Sequence, residues 1–97
     1  MNDVTDNIHL RRFELTKDRA TAFVSYRQEK GQLVLIHTDV PRALEGQGLG
    51  SALVRAVLDE VRHRHQLVVP ECAFIAGFIR RHPEYEDLVA QPREDRA

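Results

Sequence analysis

Hydrophobic side chains along this chain follow two periods, and the change between them falls at Gly48. Before it, apolar and polar positions tend to alternate, which places successive side chains on opposite faces of a strand. Ile8, Leu10, Phe13 and Leu15 predict a first strand whose phase slips around Arg11-Arg12, as a bulge would cause. Thr16-Lys17-Asp18-Arg19 reads as a polar turn. In the next strand Ala20, Ala22, Val24 and Tyr26 share one face, and Thr21, Phe23 and Ser25 the other. Glu29-Lys30-Gly31-Gln32 supplies a second turn, and Leu33-Val34-Leu35-Ile36 is apolar on both faces, so it predicts a central strand covered on both sides.

After Gly48 the apolar positions Leu49, Leu53, Ala56, Val57 and Val61 recur three and four residues apart. That spacing gathers them on one stripe of a helix and sends Arg55, Asp59, Glu60 and Arg62 largely elsewhere. Arg62-His63-Arg64-His65 suits the negative end of the helix dipole and reads as a solvated last turn rather than a metal site. Gln66-Leu67-Val68-Val69 is a short strand, predicted to run parallel to Leu33–Ile36 because a helix crossover joins the two. Pro70 ends it. A second helix with Cys72, Ile75, Ala76 and Ile79 on one face then runs to Pro83, which cannot continue it. The expected order is three strands, a helix, a strand and a helix. This is an α/β (α+β) class with a mixed sheet, antiparallel first and closed by a β-α-β unit.

With 97 residues the chain suits one domain, expected over residues 8–90. The polar stretches 1–7 and 91–97 are expected to be flexible tails, since neither can bury enough apolar surface to hold itself in place. A composition of 42% hydrophobic and 30% charged residues is that of a globular protein, and a net charge of −1 offers no general attraction to nucleic acid or an anionic membrane. Neither is an expected partner. The single cysteine, Cys72, cannot form an internal disulfide, and the first residues lack the basic and apolar regions of a secretory signal. A cytoplasmic location is expected, and any anion site must be local.

Such a site is visible between the third strand and the first helix, in Glu45-Gly46-Gln47-Gly48-Leu49-Gly50-Ser51. Alternate glycines at a helix start let backbone approach a ligand closely and leave uncapped N–H groups facing outward. With the helix dipole these suit a pyrophosphate, although glycines in such a place also serve a tight turn and close helix packing. The Walker pattern needs a Lys and a Ser or Thr directly after its last Gly. The dinucleotide pattern needs Gly-x-Gly-x-x-Gly and an acidic residue ending the next strand. This loop meets neither.

The loop resembles that of the GNAT acetyltransferase superfamily, whose pattern is Arg/Gln-x-x-Gly-x-Gly/Ala, with Glu45 departing at the first position. The strings Leu35-Ile36-His37-Thr38-Asp39-Val40-Pro41, Pro70-Glu71-Cys72-Ala73-Phe74 and Arg81-His82-Pro83-Glu84-Tyr85 are similar to its short, single-domain YjdJ-type branch. The resemblance implies an N-acetyltransferase with acetyl-CoA or coenzyme A as co-substrate, no metal, and a small-molecule or peptide amine as acceptor. It implies pantetheine held by the main chain of Thr38, Asp39 and Val40, and pyrophosphate held by Glu45 to Ser51. The helices that the family usually carries between its first two strands are missing, so the acceptor groove is expected to be open or completed by another chain. A monomer or weak homodimer is expected. A non-catalytic acyl-CoA-binding or sensing module is the alternative.

Three residues are candidates for catalysis. Cys72, in the predicted first turn of the second helix, is placed where the dipole favours a thiolate, and in the short branch this cysteine is a suspected acyl carrier. A small buried apolar residue is its other reading. His37, on one strand face with Leu33 and Leu35, is placed to deprotonate an amine or the Cys72 thiol, or else is a histidine at the edge of the core. Tyr85 is a candidate proton donor to departing coenzyme A, a role the resemblance implies, or else a packing residue. Arg81 and His82 read either as phosphate contacts or as an exposed basic helix end.

Overall fold

In the computed structural model, which describes residues 3–90, five strands form one sheet in the order β1-β2-β3-β4-β5. They are β1 (Val4–Asn7), β2 (Arg12–Lys17), β3 (Ala20–Glu29), β4 (Gln32–Asp39) and β5 (Leu67–Pro70). The first four run antiparallel as a meander, and β5 joins β4 in parallel after the helix α1 (Leu49–His63). Helix α2 (Ala73–Arg81) follows β5, and short 3-10 helices occupy Arg42–Leu44 and Pro83–Leu88.

The N-terminal residues correct the expected tail, since from Val4 they are a paired strand, and the expected 91–97 tail lies outside the described residues. The phase slip at Arg11-Arg12 is not a bulge. Residues 8–11 turn the chain between β1 and β2, with Arg11 at a φ of 54°, and the expected strand residues Ile8 and Leu10 are exposed. The four residues of β1, three of them polar, hold little apolar surface, so alternation alone does not reveal them. They are held by ladder pairing and by Asp6, which accepts hydrogen bonds from Tyr26 Oη at 2.6 Å and Arg64 Nη2 at 3.0 Å.

The inward residues of four strands meet one stripe of α1. Phe13, Ala22, Val24, Tyr26, Leu33, Leu35 and Val68 pack with Leu53, Val54, Val57, Leu58 and Val61, and Ile75, Phe78 and Ile79 of α2 complete the cluster. Each large apolar side chain so buried stabilises the fold by about 1.5–3 kcal/mol before cavity effects. Arg62 and Arg64, expected to be solvated, are tethers: Arg62 binds Asp87 and the Glu84 carbonyl, while Arg64 binds Glu60 and Asp6.

Both tyrosines of the chain are buried with their hydroxyls donated to carboxylates, Tyr26 to Asp6 and Tyr85 to Asp59. Burial first, then the hydrogen bond to Asp6, pushes the Tyr26 phenol from 10.0 up to about 12, and burial with Asp59 raises Tyr85 as well. A phenol that ionises later in the fold than in the unfolded chain stabilises the fold below the unfolded pKa. For Tyr26 that contribution is lost as pH rises from 10.0 to about 12. Absorbance titration of the native protein should therefore show both phenols ionising at higher pH than in the denatured chain, with the Tyr26 phenolate forming only toward about pH 12. An ordinary native titration would refute these placements.

Candidate functional site

The site begins where the sheet splits. Strand β4 pairs with β5 only from Gln32 to Leu35, and the amides of Glu71 and Cys72 then both donate to the Leu35 carbonyl, at 3.0 and 3.1 Å, as the chain turns into α2. Beyond Leu35, β4 continues to Asp39 along β3 alone, so its other edge has no strand against it. Ile36 is where the register shifts: Tyr26 faces Leu35 but Ser25 faces His37, leaving Ile36 as an extra residue.

That bulge exchanges the faces of everything after it, because strand side chains alternate with a period of two. His37, expected beside Leu33 and Leu35, instead pairs with Ser25 on the outer face, exposed and edge-on to the Phe23 ring at 6.3 Å. Thr38 pairs with inward-facing Val24, and its Oγ1 lies 3.5 Å from Cys72 Sγ. The residue brought to the cysteine is therefore Thr38, and no hydrogen bond joins His37 to it.

Cys72 caps α2, one residue before the first-turn position expected, and its carbonyl accepts the Ala76 amide at 3.0 Å. Partial burial pushes its thiol up. The Thr38 hydroxyl and the main chain of Ile75, Phe74 and Thr38 outweigh that and hold it below the ordinary thiol value. This is the nucleophile-like state that a cysteine at a helix start with donors around it adopts.

From Thr38 the chain passes Asp39 and Val40 into the glycine loop. Gly46 and Gly48 have φ of 83° and 73°, a left-handed backbone that L side chains adopt only under strain, and a Cβ there would meet no atom within 4 Å. At Gly50 the reason is space: a Cβ would lie 3.3 Å from the Phe74 ring and 3.4 Å from Val40 Cγ2. Gly48 caps α1 without a side-chain hydrogen bond, and the Leu49, Gly50 and Ser51 amides have no acceptor within the described residues. Glu45, Gly46, Gly48, Gly50 and Ser51 line a groove of about 270 Å³, with Val40, Leu44 and Phe74 as its apolar wall. Gln47 stands exposed at the loop tip.

The groove can take an anion against the amides and an apolar arm against the wall, and its size suits part of a long ligand rather than the whole. Phe74 is the wall residue that periodicity misses. It is 41% exposed, and what makes it part of the site is its contact with Gly50 of another helix, which no local pattern encodes.

Tyr85 belongs elsewhere. Its hydroxyl donates to Asp59 at 2.7 Å and accepts from Arg55 at 3.2 Å, and its ring packs with Phe78, so it is engaged with α1 and α2 rather than with the loop. His82 stacks on Phe78 at 4.1 Å beside Arg55, and Arg81 has no contact with the loop amides. Among the described residues no group of three or more His, Cys, Asp or Glu side chains is placed to hold a metal ion, and no helix is long and apolar enough to cross a membrane.

Comparison with known proteins adds two findings. The family model for GCN5-related N-acetyl-transferases matches residues 12–88. The NMR solution structure of a GCN5-like protein from Staphylococcus aureus aligns over 97% of this chain and 93% of that one, with a TM-score of 0.71 at 23% identity, a likeness of fold.

Proposed function

The chain belongs to the GCN5-related N-acetyltransferase family, and from that premise we propose that it transfers an acetyl group from acetyl-CoA to a primary amine. The observation that carries this reading is that the groove wall residues Val40 and Phe74 each lie two positions after a member of the Thr38–Cys72 pair, which suggests an order of groups from the loop to the thiol. Free amides at the α1 start come first, then the apolar wall of Val40, Leu44 and Phe74, then the Thr38 hydroxyl and the Cys72 thiol. Acetyl-CoA has the same order: phosphates, a largely apolar arm, and a thioester.

In this reading the Leu49, Gly50 and Ser51 amides hold the pyrophosphate, and the unpaired edge of β4 at Thr38 and Asp39, with Val40 just beyond it, takes the pantetheine amides. Binding there turns a bimolecular encounter into a positioned one. Cys72 Sγ attacks the acetyl carbon as its thiolate, the carbon–sulfur bond to coenzyme A breaks, and the departing thiolate takes up the proton that Cys72 gave up. A neutral amine then attacks the acyl-Cys72 carbonyl. The bond to Sγ breaks, an amide forms, and the proton lost by the amine nitrogen returns to the thiolate. Thr38 Oγ1 stays beside Sγ throughout. His37 and Tyr85 have no part in these steps.

A second reading, a coenzyme A-binding module without transfer, is favoured by the four-residue connection 8–11, which leaves no helices between β1 and β2 to shape an acceptor site. The test is thermal unfolding with acetyl-CoA followed by thiol release over a panel of primary amines. Acetyl-CoA at a hundred times its Kd should stabilise the fold by about 2.7 kcal/mol. Turnover with at least one amine supports transfer, binding with none leaves the module, and no stabilisation refutes both.

A further inference from the structure

We propose that Lys17 is a phosphate-binding residue for the coenzyme, reaching the loop from the β2–β3 turn and forming with Gln47 a cationic rim beside the free amides of α1. The inference rests on the donor assigned in the preceding subsection. Lys17 is the last residue of β2 and pairs with Ala20 across a two-residue turn, Asp18-Arg19, in which both residues have positive φ, 52° and 67°. Such a turn matches the twist of the two strands and sets where β2 ends. It brings Lys17 Nζ to 2.9 Å from Gln47 Oε1, a contact between residues 30 positions apart.

The chemistry of that contact is one-sided. The Gln47 carboxamide has one oxygen and one NH₂ group, and the oxygen accepts from Lys17, which leaves both NH₂ donors to face a ligand. The ammonium likewise keeps N–H donors and has no acceptor. Next to them, the Leu49, Gly50 and Ser51 amides are also donors without an acceptor. The Lys17 ammonium, the Gln47 NH₂ and the free amides together form a set of donors with a positive charge, which is matched by a phosphate. It also answers a charge problem, because Glu45 places an exposed carboxylate at the start of the same loop, where it repels an anion. Arg42 stands just before the loop and meets it through its main chain, its carbonyl accepting the Glu45 amide at 3.2 Å, whereas the side chain that hydrogen-bonds the loop tip is that of Lys17.

The test is calorimetric titration of wild type, Lys17→Gln and Lys17→Arg with coenzyme A and with dephospho-coenzyme A, at low salt and at about 1 M salt, where the Debye length is about 3 Å. Lys17→Gln should weaken coenzyme A binding about three- to tenfold at low salt, the effect of one exposed charge-assisted contact. The loss should shrink at high salt, and Lys17→Arg should restore most of it. A penalty that disappears with dephospho-coenzyme A assigns the contact to the 3′-phosphate, and one that persists assigns it to the pyrophosphate. Equal affinity of Lys17→Gln and wild type, or a loss that salt does not change, overturns the role of Lys17 while the donor assignment stands. Failure of the wild type to bind coenzyme A overturns both.

Discussion

Replacing Cys72 with alanine is expected to lower acetyl transfer by about 10³-fold, the scale on which an enzyme loses its nucleophile or base. Binding of coenzyme A should be nearly unchanged, because the groups proposed to hold its phosphates are at the start of α1 and at Lys17, not on α2. The argument starts from the thiol's surroundings. A cysteine at the start of α2 with Thr38 Oγ1 at 3.5 Å has its thiolate stabilised by the groups that approach Sγ. In the free enzyme the pH dependence of alkylation should therefore place the Cys72 midpoint below that of an ordinary thiol. Thr38→Val, which removes one of the groups that lower it, should move the midpoint up, and Thr38→Ser should restore it. Mass analysis after acetyl-CoA alone should find one acetyl group on the wild type and none on Cys72→Ala. If Cys72→Ala turns over at the wild-type rate, transfer is direct and the cysteine is a packing residue.

Gly48→Val should weaken coenzyme A binding about tenfold or more, which is about 1.4 kcal/mol or more. It should also destabilise the fold by about 1–2 kcal/mol, the cost of a left-handed residue with a Cβ. At a φ of 73° a β-branched side chain moves the backbone away from this conformation, and the amides that follow it at the start of α1 turn with it. A Cβ at Gly48 would meet nothing within 4 Å, so the expected cause is the backbone conformation. Gly48→Asn is the control, because asparagine tolerates the left-handed region, and it should retain much of the affinity. Equal losses for Val and Asn would show that the side chain and not the backbone conformation disturbs the site.

How much of this was legible beforehand differs from one element to the next. Helix α1 was readable because its buried face recurs along fifteen residues, so the pattern is long compared with any accident of composition. The parallel pairing of β5 with β4 followed from the crossover helix. Strand β1 was not readable: Val4-Thr5-Asp6-Asn7 is short and mostly polar, and it is a strand because β2 presents an edge to it. The helices that the family carries between its first two strands are absent between β1 and β2. The four-residue turn at the first strand pair is residues 8–11, not Thr16–Arg19, because β1 had gone unseen.

The candidate site divides along the same line. Composition and spacing by themselves determined that one helix start carries a glycine loop with free amides, since a left-handed backbone and an uncapped first turn are local properties of Gly46, Gly48 and the residues beside them. Family membership adds the chemistry to be sought there. What only the tertiary structure decided is which side chains stand near it. One extra residue at Ile36 sends His37 to the outer face and turns Thr38 to Cys72, and the hydrogen bond to Asp59 holds Tyr85 against α1. The Phe74 ring lies over Gly50 for a similar reason. The physical cause is the same in each case: a bulge or a contact between distant segments depends on pairing across the sheet and on packing between helices, and neither leaves a period in the chain.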